Sequence, residues 1–158
     1  MEEQDLKIFI ESVAHYFDQI FGEQAVVDPP FLGGKALPLL DFTGVIGISG
    51  KQQGAVYFTA DRAMIADMLS SLGEDPLDES FQADIVGEVA NTIAGNARRE
   101  FGGDFLISVP MVLRGAPESF SLPRNTQAFV IPFAWRHHRS FLITALASGP
   151  NSPRRSTA

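Results

Sequence analysis

Apolar side chains recur every three or four residues in three stretches of the chain, the spacing of a helix that buries one face. Glycine follows the first and third stretches as a stop signal, and an aspartate able to cap a helix begins the second and third. The pattern therefore predicts three helices, over residues 3–21, 61–72 and 78–101.

Shorter apolar stretches rich in β-branched and aromatic residues are typical of strands. Two pairs of them are separated by short turn-forming segments and are predicted as β-hairpins: 39–48 with 54–59, and 126–135 with 139–147, the latter turned at 136–138. A further strand, 104–113, contains Pro110, whose missing N–H predicts a sheet edge or a bulge. The segment 28–38, rich in proline and glycine, is predicted as a loop.

The order of these elements predicts an α+β fold. Strand neighbours joined by tight turns favour a predominantly antiparallel sheet with the helices packed on one face. The 158-residue length suits one domain, and no repeat or linker divides residues 1–148. Residues 149–158 combine glycine, proline, serine and arginine, and we expect them to form a disordered tail.

Composition narrows the classes of partner and chemistry. A net charge of −7 and a pI of about 4.8 argue against binding nucleic acid or an anionic membrane, because both demand a basic surface. The sequence has no cysteine, which excludes disulfides, thiolate metal sites and cysteine nucleophiles. The acidic start lacks a signal-peptide pattern and the apolar runs are shorter than a membrane span, so we expect a cytoplasmic location.

The longest predicted helix carries a narrow polar stripe. At roughly 100° per residue, Asp84, Glu88, Asn91 and Gly95 fall on one line, and Glu88 and Asn91 are neighbours three residues apart. Asparagine and glycine both disfavour a helix interior, and glycine beside a polar pair lets another molecule approach closely. The opposite face is predicted to lie in the core: Phe81, Ile85, Val86, Val89, Ile93 and Ala97.

Simpler interpretations exist for each polar feature. A glutamate and an asparagine on a wet helix face are usually only solvated, and a pattern alone does not prove a site. Asn96 falls toward the apolar side, where its amide is expected to bond buried backbone groups. The basic run 136–139 is expected to be a solvated hairpin tip whose two adjacent histidines do not share a metal, and His15 is expected to be partly exposed.

Residues 84–97 read Asp-Ile-Val-Gly-Glu-Val-Ala-Asn-Thr-Ile-Ala-Gly-Asn-Ala, and this stretch resembles the signature helix of CheX. CheX is the single-site branch of the CheC/CheX/FliY chemotaxis phosphatases, whose pattern is Glu, two residues, then Asn, followed in CheX-like members by Ala-Gly-Asn-Ala. CheC-like members carry two such helices, whereas the first predicted helix here has no such motif. The resemblance implies one extended sheet, a homodimer joined through sheet edges, and a phosphorylated CheY-like response regulator as substrate.

The resemblance also implies the roles of two residues. Asn91 matches the asparagine that orients the attacking water, and Glu88 matches the acid that engages the conserved lysine of the receiver. No cofactor of the protein's own is implied, because the receiver carries the Mg²⁺ ion. Arg98, near the stripe, is left open between binding an acidic receiver and facing water.

Two alternatives to catalysis stay open at this point. One is a CheX-like binding module that docks on a receiver without hydrolysis, although the presence of both Glu88 and Asn91 favours catalysis. The other is a homodimeric scaffold, with the sheet edge near Pro110 or the last hairpin as its interface.

Overall fold

A computed structural model describes residues 1–34, 36–115, 122 and 126–148 of the chain. The predicted tail, 149–158, lies outside the described residues. The elements, in chain order, are α1 Glu3–Phe21, β1 Val26–Val27, β2 Phe31–Leu32, β3 Phe42–Gly50, β4 Gln52–Ala60, α2 Arg62–Ser71, α3 Glu79–Phe101, β5 Phe105–Ile107, β6 Met111–Arg114, β7 Ala128–Trp135 and β8 His138–Ser148.

The strands of the described residues form one antiparallel sheet of eight strands. Its order is β1-β7-β8-β4-β3-β5, with β2 also paired to β7 and β6 also paired to β3. The two predicted hairpins, β3–β4 and β7–β8, lie at its centre and are joined by the pairing of β4 with β8. One edge is therefore formed by β1 and β2, and the other by β5 and β6.

All three helices cover the same face of this sheet. Their buried side chains form one hydrophobic cluster with alternate residues of the long strands, such as Phe58 and Phe133. The intervening residues face the other side, where Tyr57, Val130 and Ile143 pack beneath the segment that follows β2. The predicted α+β fold, an antiparallel sheet with helices on one face, is confirmed.

The ends of the helices follow from the signals in the sequence. The Asp61 carboxylate accepts a hydrogen bond from the Met64 N–H at 2.8 Å, and the Asp78 carboxylate accepts one from the Phe81 N–H at 3.0 Å. α1 ends at Gly22, which adopts the left-handed conformation (φ 70°) open to glycine. The predicted helix bounds agree with the structure to within one residue.

Three details correct the sequence-based picture. The predicted loop 28–38 contains β2, which pairs with β7 through backbone bonds that no local pattern reveals. The predicted strand 104–113 is interrupted between β5 and β6, at the point where Pro110 lies on the sheet edge. Phe81 is 38% exposed rather than in the core, because Gln82 takes the buried position and donates a hydrogen bond to the Pro76 carbonyl oxygen at 2.9 Å.

Candidate functional site

Small residues hold α3 close to the sheet. The Cα of Gly44 on β3 lies directly beneath α3, since an added Cβ there would stand 2.8 Å from the Val86 carbonyl oxygen and 2.9 Å from the Ala90 Cβ. Along the same side of the helix, Ala94 and Ala97 are fully buried. This close packing fixes the rotation of α3 and therefore the direction of its opposite, solvent-facing side.

The predicted polar stripe lies on that solvent-facing side. Asp84, Glu88 and Asn91 are exposed, and Gly95 is half-buried with no atom within 4 Å of where its Cβ would be. Within the described part of the chain, the side chains of Glu88 and Asn91 form no hydrogen bond or ion pair. The structure thus presents a free carboxylate and a free amide side by side above an open surface.

The β5–β6 edge flanks the stripe on one side. At the β5 end of this edge, the Arg98 Nε–H donates to the Phe105 carbonyl oxygen at 3.0 Å and so connects α3 to β5. At its downstream end a Cβ on Gly87 would lie 3.3 Å from Val112 and 3.6 Å from Pro110. Arg98 therefore has a structural contact in addition to its exposed position near the stripe.

α1 flanks the stripe on the other side. Burial, and in second place the charge of Glu88, raise the pKa of the Tyr16 hydroxyl, which lies within electrostatic reach of that carboxylate. Further along, a cleft of about 260 Å³ separates the two helices, lined by Ile8, Glu11, Ser12, His15, Asn96, Arg99 and Glu100. His15 is exposed there. Asn96 is only half-buried, and the expected bond to buried backbone is not formed among the described residues.

One residue of the basic hairpin tip, His138, differs from its prediction. His138 begins β8 and is only 6% exposed, with its Nε2 2.8 Å from an Asp67 carboxylate oxygen on α2. Arg136 donates to the other Asp67 oxygen at 2.6 Å and to Glu23 at 2.8 Å. Burial would raise the pKa of Asp67, but the His138 hydrogen bond and the Arg136 charge outweigh it and hold that pKa below its ordinary value. Arg136, His137 and Arg139 are exposed, as expected of a solvated tip. The ion pairs of Arg136 and the contact of His138 also connect the tip to α2 and to Glu23, which follows α1.

The described residues contain no candidate metal cluster and no candidate membrane-spanning helix. No group of three or more histidine, aspartate or glutamate side chains within them is arranged to hold a metal ion. None of their helices has the length and apolar character needed to cross a bilayer.

Three helices on one face of an antiparallel sheet are the fold of CheC-like and CheX proteins, and solved structures of such proteins share it with this chain. A CheC-like superfamily protein from Shewanella sp. PV-4 covers 94% of this chain and 100% of its own at 22% identity, with a TM-score of 0.81. CheX from Desulfovibrio desulfuricans covers 92% and 99% at 25% identity, with a TM-score of 0.77. CheX in a CheX–CheY–BeF₃–Mg²⁺ complex from Borrelia burgdorferi covers 90% and 97% at 19% identity, with a TM-score of 0.73.

The chain belongs to the family described as chemotaxis phosphatase CheX, whose sequence model matches residues 42–134, more than half of the chain. The match includes all of α3 and both central hairpin strands β3 and β4. A comparison with curated proteins found no match. The predicted resemblance to the CheC/CheX/FliY group is confirmed, and a phosphatase is the class of enzyme that the family description names.

Proposed function

We propose that this protein hydrolyses the aspartyl phosphate of a CheY-like response regulator. The observation that carries the proposal is the free Glu88–Asn91 pair on the solvent face of α3, in a chain of the CheX phosphatase family. The complex of CheX with CheY from Borrelia burgdorferi supports a receiver of the same kind as the partner.

The reaction asks little of the phosphatase itself. Water oxygen attacks phosphorus, the bond from phosphorus to the aspartyl oxygen breaks, and the products are the free carboxylate, inorganic phosphate and a proton. Phosphoryl transfer depends on positioning and on charge stabilisation rather than on a reactive protein nucleophile. The receiver supplies the acyl phosphate and the Mg²⁺ ion, so two positioned side chains suffice for this protein.

Asn91 is proposed to hold the attacking water. Its amide carries both a donor and an acceptor, does not titrate, and does not compete as a nucleophile. Because its side chain is exposed and forms no hydrogen bond among the described residues, it is free to enter a partner's active site. A water molecule held in line with the breaking bond reacts without the entropy loss of a random encounter with the phosphoryl group.

Glu88 is proposed to pair with the conserved lysine of the receiver. It lies one helical turn before Asn91 on the same exposed face, so both side chains can reach one partner surface. A carboxylate–ammonium hydrogen bond formed on a desolvated interface is stronger than a neutral one and fixes orientation. Glu88 thereby aligns the receiver for Asn91.

A homodimer is a separate proposal, and it concerns the β1–β2 edge. This edge lies across the sheet from β5 and β6 and exposes three apolar side chains: Val26, Phe31 and Leu32. Pairing of two such edges would cover them and continue the sheet. Sedimentation of the wild type and of Leu32→Asp tests this, since a dimer that persists unchanged in Leu32→Asp would exclude the β1–β2 edge.

The proposed activity is tested with purified receivers of the same organism, each phosphorylated by a small phosphodonor. The decay of each phosphoreceiver is followed with and without this protein. Acceleration for one or a few receivers supports the proposal and identifies the substrate. Binding without acceleration for every receiver would replace it by the non-catalytic docking interpretation.

A further inference from the structure

The gap between β5 and β6 is a β-bulge. Ile48 on β3 pairs with Ile107, and Val45 pairs with Met111, so two β3 residues lie opposite three edge residues, 108–110. The Ser108 N–H donates to the Gly47 carbonyl oxygen at 2.9 Å, which leaves Val109 and Pro110 together opposite one β3 residue. Bulges at sheet edges redirect a side chain away from the regular pleat.

The bulge runs alongside α3 at the level of Asn91. Pro110 packs against Gly87, one turn before Asn91, and Ile107 lines a common hollow with Gly95, one turn after it. The residues between Ile107 and Pro110 must therefore pass beside Asn91. Among the described residues Val109 is the most exposed large apolar side chain, at 87%.

The backbone at Val109 is held by its neighbours in the chain. The Ser108 hydroxyl accepts the Gly47 N–H at 2.8 Å and donates to the Val109 carbonyl oxygen at 3.0 Å. Pro110 fixes the next backbone angle and removes an N–H donor. An apolar side chain held on a fixed backbone loses little entropy when a partner covers it.

We infer that Val109 is a docking residue for the phosphorylated receiver, seated against an apolar patch beside the receiver's phosphorylation site. The inference rests on the proposed function. A specific interface buries about 800 Å² on each partner, so a receiver that takes Asn91 into its active site also covers the sheet edge that runs beside it. The Glu88–Asn91 pair gives orientation and chemistry, and Val109 adds affinity for the receiver surface.

The test is single-turnover decay of the phosphoreceiver with increasing excess of this protein, which yields a maximal rate and a half-saturating concentration. In Val109→Ser we expect the half-saturating concentration to rise about five- to tenfold, as for the loss of one buried valine side chain, with the maximal rate unchanged. Val109→Leu should restore the wild-type value. Leu77→Ser is the matched control. Leu77 is similarly exposed, at 81%, but it lies before α3, and the N-terminal half of that helix separates it from Asn91.

Three results would overturn the inference. The first is a half-saturating concentration in Val109→Ser equal to that in Leu77→Ser. The second is conversion of a dimer to a monomer by Val109→Ser in sedimentation, which would assign the residue to a second copy of this chain. The third result applies if the wild type accelerates no receiver, so that the proposed function itself fails. Binding of the phosphoreceiver is then measured by titration calorimetry. Absence of binding, or binding that Val109→Ser leaves unchanged, would contradict a docking role for Val109.

Discussion

Gly44 on β3 packs so closely against Ala90 on α3 that position 44 has no room for a side chain: a Cβ on Gly44 would stand 2.9 Å from the Ala90 Cβ. Ala90 immediately precedes Asn91, so this contact sets the height of the polar stripe above the sheet. The proposed chemistry depends on that position, because Asn91 acts only by reaching into another protein.

Gly44→Ala is expected to lower both stability and activity. Its methyl group would also meet the Val86 carbonyl oxygen at 2.8 Å, so α3 must shift, at a loss of about 1–3 kcal/mol in the free energy of unfolding. Urea unfolding and phosphoreceiver decay check the two effects. Gly34→Ala is the control, since nothing lies within 4 Å of its added Cβ, and equal behaviour of the two variants would contradict the packing argument.

Gly95→Ala is expected to separate stability from activity. Nothing within 4 Å opposes the added methyl group, and alanine favours a helix interior over glycine by about 1 kcal/mol, so the fold should become more stable. The same methyl group narrows the clearance beside Asn91 and should raise the half-saturating concentration in single-turnover decay. A variant that is both more stable and fully active would show that the receiver does not approach α3 at Gly95.

Glu88→Gln keeps the shape of the side chain and removes its charge. Loss of the ion pair with the receiver lysine should raise the half-saturating concentration about fivefold and weaken its dependence on salt. Asp84→Asn, one turn earlier on the same exposed face, removes an equal charge and should have a smaller effect. If both variants behaved alike, Glu88 would contribute only to the overall negative charge of the surface and not to a specific ion pair.

Asp67→Asn is expected to weaken the network at the β7–β8 turn. Because the pKa of Asp67 in the folded protein is below its ordinary value of 3.8, its contribution to stability is complete above about pH 4 and is lost as the pH falls further. We expect the variant to be about 1–2 kcal/mol less stable at pH 5 and the difference to shrink by pH 3. Asp18→Asn should show no such change, and a difference that is constant with pH would rule out ionised Asp67 as the source.

Local sequence signals predict much of the fold and the Glu88–Asn91 part of the candidate site. The three helices and two hairpins follow from periodicity and capping residues, and Pro110 indicated the irregular sheet edge where the bulge lies. The Glu88–Asn91 stripe was visible because a helix converts residue spacing directly into a shared face.

The remaining features depend on contacts between distant segments. β2 forms only because β7 offers bonding partners nearly a hundred residues later, and His138 is buried only because Asp67 of α2 lies beside it. Val109 reads as an ordinary strand residue, and its place beside Asn91 appears only when β5, β6 and α3 are assembled. Pro110 was the usable signal, since a proline within a strand pattern cannot donate a ladder hydrogen bond and is confined to sheet edges and bulges.

The most direct test of the account is the maximal rate of phosphoreceiver decay, measured in single turnover with the Asn91→Ala variant in saturating excess over the receiver. Because the side chain is exposed, the variant should unfold at the wild-type urea concentration and still bind the receiver. We predict a maximal rate about 100-fold lower. The control Asn96→Ala, five residues further along α3, should stay near the wild-type rate. A wild-type maximal rate in Asn91→Ala would contradict the central claim that this amide positions the attacking water.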